Sequence, residues 1–165
     1  MMLSKNLSLS EMTKSTTAKR RGIDNSPTPD HFKNMQVLAN KIFQPIRDYF
    51  GVSFSVSSGY RSEALNKAIG GAHKYIDGKY VATSQHCKGQ AIDIDRDYNF
   101  DPNNAQVFHY IKDHLNFDQL IWEFGTEENP SWVHVSYTTT ETQRGQILVA
   151  YKDDNNKTKY KAYGR

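Results

Sequence analysis

Cysteine is nearly missing from this sequence. Cys87 is the single one in 165 residues, so no disulfide can form within the chain. No run of residues is long and apolar enough to cross a membrane, and the mean hydropathy is −0.75. A glycine-rich phosphate loop and a Gly-x-Ser-x-Gly elbow are also lacking, which removes the usual routes to nucleotide binding and serine-hydrolase chemistry. Excess charge of one sign is small: 21 Lys and Arg face 18 Asp and Glu. A net +3 is too little for a nucleic-acid protein. The expectation is a monomer with no nucleic-acid and no membrane partner. The opening Met1-Met2-Leu3-Ser4-Lys5-Asn6-Leu7 has no apolar stretch of the kind a signal peptide needs, so synthesis in a cytoplasm is expected.

Aromatic residues, in contrast, make up 12% of the chain, including ten Tyr, which argues against disorder. The length suits one domain with its own core. A single domain over 1–165 is expected, with an irregular N-terminal segment at 1–29 and a C-terminal hairpin extension at 138–165. Within 1–29, Leu7, Leu9 and Met12 can pack as a short strand and turn, and Lys14, Lys19, Arg20 and Arg21 read as a solvated basic face. Thr28-Pro29-Asp30 starts a helix: a hydroxyl cap, Pro at the first position, an acid in the first turn. Phe32, Met35, Leu38, Ala39, Ile42, Phe43, Ile46 and Tyr49 follow at helical spacing. Pro45 is expected to kink this helix and Gly51 to end it.

The period then changes to two. Val52, Phe54 and Val56 alternate with serines as a half-buried strand. Ser62 to Ile69 reads as a short helix, 73–83 as a loop or small hairpin, and 104–115 as a second amphipathic helix. Strands are expected at 90–95, 119–124 and 132–137, the last two paired as a hairpin. A final hairpin joins 147–151 to 158–163. The class is α+β: a small, mostly antiparallel sheet with helices packed on one face.

Three segments carry chemistry. In Ser84-Gln85-His86-Cys87-Lys88-Gly89-Gln90-Ala91-Ile92-Asp93-Ile94-Asp95, an imidazole and a carboxylate are separated by a glycine that permits a sharp turn. Both donors suit zinc, whose catalytic sites take three protein ligands and leave one position open. Asp93 lies opposite Ile92 and Ile94 on its strand and so points away from the core. In Trp132-Val133-His134-Val135-Ser136, His134 and Ser136 share one face and the valines the other; a structural histidine satisfies that pattern as well as a ligand does. In Ser58-Gly59-Tyr60-Arg61-Ser62, Arg61 sits at a strand-to-helix junction. There it can grip a substrate carboxylate, steady an oxyanion, or make an ordinary surface ion pair. Cys87 and the remaining histidines have no convincing metal partner, and Tyr151, Tyr160 and Tyr163 read as strand packing.

Together, and in the chain order 58–62, 84–94, 132–136, the three segments resemble the zinc D-alanyl-D-alanine carboxypeptidases and the related L,D- and D,D-endopeptidases of phage endolysins, whose fold the Hedgehog signalling domains share. The resemblance runs from about Leu7 to Tyr137. It implies zinc held by His86, Asp93 and His134, with Arg61 and Ser84 at the substrate or oxyanion. It implies cleavage of peptidoglycan stem peptides; with no signal-type stretch at the start, the wall is expected to be reached after lysis-type release, virion delivery or dedicated export. One departure stands out. Many members carry an acidic general base three residues before the last ligand histidine, and here that residue is Ser131. Glu123 is the expected substitute, opposite His134 across the hairpin and on the metal face, with Trp122 and Phe124 pointing the other way. Asp95 is the next candidate, better suited to supporting a ligand histidine from behind. Ser131 also keeps open a zinc-binding, non-cutting module of the Hedgehog or virion-associated kind. A structural zinc closed by Cys87 or His73 is the third possibility.

Overall fold

The computed structural model describes residues 1–164. The first segment is more regular than expected. Strands β1 (Met2–Ser4) and β2 (Leu7–Ser8) pair antiparallel, and helices α1 (Leu9–Thr13) and α2 (Thr16–Arg21) follow. Ser8 caps α1 in a reciprocal box with Glu11, and Ser15 caps α2. Leu3, Leu7 and Met12 are buried in the main core. Elements of two to six residues are too short to display a period, so their order comes from caps and from burial against the rest of the chain.

The long helix is built as three consecutive pieces: α3 (Pro29–Leu38), a π-helical turn (Ala39–Phe43) and α4 (Gln44–Phe50). Thr28 caps the start and Gly51, in a left-handed conformation, closes the end. The N–H of Gln44 reaches back five residues to the carbonyl of Ala39. Pro45 has no N–H to continue the α ladder, and the widened turn just ahead of it absorbs that interruption.

Strand β3 (Val56–Ser58) begins only where the strand expected from the alternation over 52–56 ends, and residues 52–55 are not part of it. Phe54 is buried all the same, but the Ser53 carbonyl is taken by Arg96 Nη1 at 2.5 Å, so this stretch runs outside the ladder. Ser62 then caps α5 (Glu63–Ile69), and a hairpin of β4 (His73–Ile76) and β5 (Lys79–Ala82) follows. A 3-10 turn (Gln85–Lys88) leads into β6 (Ala91–Ile94). Helix α6 (Asn104–His114), β7 (Gln119–Glu123), β8 (Trp132–Ser136), β9 (Gln146–Lys152) and β10 (Thr158–Ala162) complete the order.

Six strands form one sheet in the order β10-β9-β7-β8-β6-β3. All neighbours are antiparallel except β7 and β9, which run parallel. This is the α+β class expected. Ile92, Ile94, Leu120, Trp122, Val133 and Val135 face the helices and bury themselves against Met35, Leu38, Ile42, Val107, Phe108 and Ile111. Because strand side chains alternate, the residues between them emerge on the opposite face, and that face carries the chemistry.

Candidate metal centre and cleft

His86 owes its position to main-chain geometry. Ser84 caps the 3-10 turn by accepting from the His86 N–H at 3.2 Å, and Gly89 closes it in a left-handed conformation, φ 69°. A side chain at Gly89 would also collide with the His31 carbonyl, so glycine is required there twice over. The His86 ring is buried, and its Nδ1 lies 2.7 Å from the Gly59 carbonyl oxygen. That carbonyl makes Nδ1 the protonated nitrogen and leaves Nε2 with its lone pair facing outward. Gly59 itself admits no side chain, since a Cβ would strike the Met12 carbonyl oxygen.

Asp93 and His134 are direct partners across β6 and β8, so their side chains stand together on the face away from the helices. His134 Nδ1 lies 3.0 Å from Asp93 Oδ1, and His86 Nε2 lies 3.4 Å from the same oxygen. One donor atom from each of the three falls within 4.8 Å of the others. Burial by itself would raise the Asp93 carboxyl, but the adjoining His86 and His134 outweigh it and hold the group well below the usual carboxylate range. An anionic oxygen and two imidazole nitrogens, converging from three separate elements, are a donor set that can hold a metal ion. His73 and Cys87 do not belong to the cluster among the described residues. His73 sits on the exposed hairpin with Nδ1 against the Gly71 carbonyl, so among the described residues no fourth protein ligand closes the site.

The triad opens into a cleft of about 900 Å³ that also takes in Arg61, Ser84, Glu123 and Trp132. Arg61 donates from Nη2 to Ser84 Oγ at 3.3 Å, while its Nε is buried without a partner among the described residues. Its guanidinium is thus steered by Ser84 and left with unused donor capacity.

Glu123 is on the triad's side of the sheet, although the register differs from the one expected. Ile121, not Glu123, is opposite His134, and Glu123 pairs with Trp132. A slip of two residues keeps the face, so Glu123 stands diagonal to His134. Its carboxylate is buried and receives no hydrogen bond from the described residues. Burial pushes it up to about 7, against the pull of His134 and with the help of Asp93. Phe124 departs from expectation: at φ 57° it leaves the strand geometry and turns to the cleft, its ring 5.4 Å from that of Trp132.

Asp95 is not brought to the triad. Strand β6 ends at Ile94, and the exposed Asp95 accepts from Asn104 Nδ2 at 2.8 Å at the start of α6. The Gly59 carbonyl takes the supporting role expected of it at His86. Ser131 is exposed and lies outside the cleft, as do Glu127 and Glu128 in the connecting loop. Sequence reasoning missed the contribution of the last hairpin: Leu148, Thr158 and Tyr160 line the cleft, as does Arg144 just ahead of it. Their alternation was visible, but only the parallel pairing of β9 with β7 shows which face they occupy.

The model of the family described as Peptidase M15 matches residues 5–136, which include Arg61, Ser84, the triad and Glu123. No curated protein matches the chain. The matched segment is most of the sequence, and the chain belongs to the peptidase M15 family.

Proposed function

We propose that the chain is a zinc metallopeptidase hydrolysing peptide bonds of bacterial peptidoglycan stem peptides, as a D-Ala-D-Ala carboxypeptidase or an L,D- or D,D-endopeptidase. The observation that carries this reading is Glu123: a buried carboxylate without a hydrogen-bond partner among the described residues, on the same side of the sheet as two imidazoles and a carboxylate that converge within 4.8 Å. His86, Asp93 and His134 would hold the zinc. Three protein donors match a catalytic rather than a closed structural site. A zinc so held supplies a Lewis acid for the scissile carbonyl and lowers the pKa of water.

The chain's own residues do the rest. Glu123 takes a proton from the attacking water and delivers it to the nitrogen of the leaving amine, the work of one carboxylate acting first as base and then as acid. Its raised pKa suits it to both halves of that task near neutral pH. Arg61, steered by Ser84, faces negative charge on the substrate carboxylate or the oxyanion. The peptidoglycan assignment rests on family membership and on the resemblance of the three segments to wall-cutting enzymes.

Ser131 favours one rival, a zinc-binding module that does not cut. Mass spectrometry of muropeptides incubated with the zinc-loaded protein separates the two. New fragments with free amine termini are the expected result. Intact muropeptides in the presence of fully zinc-loaded protein would mean the non-cutting module.

A further inference from the structure

The wall of the cleft built by β9 and β10 lies beyond the segment that matches the family, which ends at residue 136. One row of the sheet links that wall to the site. Tyr160 on β10 pairs with Ala150 on β9, Ala150 pairs with Glu123 on β7, and Glu123 pairs with Trp132 on β8. Paired residues share a face, so Tyr160 projects on the same side as Glu123. Neighbouring strands are about 4.8 Å apart, and the residue between the two is an alanine, too small to screen one from the other. Tyr160 lines the cleft and is half exposed, and no described residue bonds its hydroxyl.

We propose that Tyr160 is a substrate-binding residue of this cleft, its phenol donating a hydrogen bond to a main-chain carbonyl of the bound peptide beside Glu123. The inference rests on the peptidase reading of the site. A peptide laid over the triad presents carbonyl acceptors along its length, and the opposite wall offers Arg61 and Ser84. On the Glu123 side, Trp132 and Phe124 supply ring surface, and Tyr160 supplies a neutral donor. Burial holds its hydroxyl above the usual tyrosine range, with Glu123 and Asp93 adding to the shift. The phenol therefore stays protonated and does not compete with Glu123 for the base role.

The test uses Tyr160→Phe, which removes only the hydroxyl from a half-exposed ring on an edge strand. Cleavage of purified muropeptides by the zinc-loaded full chain is compared with wild type. Binding of the same muropeptides is measured by calorimetry on Glu123→Gln and on Glu123→Gln/Tyr160→Phe. The expected result is a fall in kcat/KM, or a like weakening of binding, by more than twofold and up to roughly tenfold, the size of one lost hydrogen bond. Zinc content and Tm should stay at wild-type values. Rates and affinities within twofold of the parents overturn the inference and leave the peptidase reading standing. A fall that comes with lost zinc or a lowered Tm also overturns it, because a structural role explains that pattern. Parents that neither cut nor bind would overturn the peptidase reading and this inference together.

Discussion

The same three strands, β6, β8 and β7, present two faces with opposite demands. Toward the helices, Ile92, Ile94, Leu120, Val133 and Val135 have no solvent exposure, and Trp122 meets Phe108 edge-on at 5.1 Å. The one polar group among them, the Trp122 indole N–H, donates to the Thr126 carbonyl at 3.0 Å. Toward the cleft, Asp93 is shared by two histidines, while among the described residues Glu123 has no hydrogen-bond partner and Arg61 Nε is buried without one. Unbonded buried polar groups cost stability. The cleft face accepts that cost, and the helix face offsets it with apolar burial. The lesson is that stability and chemistry are separated by the pleat: one residue along a strand moves from one to the other.

Substitutions can break that separation or sharpen it. The largest effect belongs to the triad. His86→Ala, Asp93→Ala or His134→Ala should each lower zinc affinity by more than the roughly 10–100-fold lost when a supporting partner is removed, while the fold survives. Elemental analysis reads this directly, and full zinc in all three variants would remove the ligand assignment. On the other face, Phe108→Ala should cost about 3–5 kcal/mol of stability, seen in denaturant melts. Below its Tm the variant should keep zinc and cleavage; loss of zinc from the folded variant would mean that the two faces are not independent. Arg61→Lys retains charge but loses the planar fork. It should lower kcat/KM by roughly thirtyfold or more, about 2–4 kcal/mol for a lost oxyanion donor, with Tm unchanged. The smallest effect is expected at Cys87, which is buried and adjoins His86 but stands outside the cleft. Cys87→Ala should change stability by only about 1 kcal/mol and leave zinc stoichiometry unaltered.

The triad was legible because each member sits in a short segment with its own signal. Alternation in 91–94 and 132–136 assigns Asp93 and His134 to the non-core face, and Gly89 marks the turn between His86 and Asp93. Glu123 was legible only as to face. Its register depends on how the 124–131 connection closes, and the left-handed Phe124, with the Thr126 and Asn129 hydrogen bonds, shifts the pairing by two residues. Periodicity carries no information on such a loop. Asp95 misled because it continues the alternation of β6 although the strand stops one residue earlier. Tyr160 reached the site through two strand pairings remote in sequence, one of them parallel, and neither leaves a local trace. The N-terminal strands and helices escaped for the complementary reason: they are too short for any period to develop.

Glu123→Gln tests the central claim most directly, because it preserves the shape of the side chain and removes the base. With zinc loading checked in the same sample, kcat on muropeptides should fall by about two orders of magnitude or more, while zinc content and Tm hold at or above wild-type values. A variant that keeps its zinc and cuts within a few-fold of the wild-type rate would contradict the assignment of Glu123 as the proton carrier of this site.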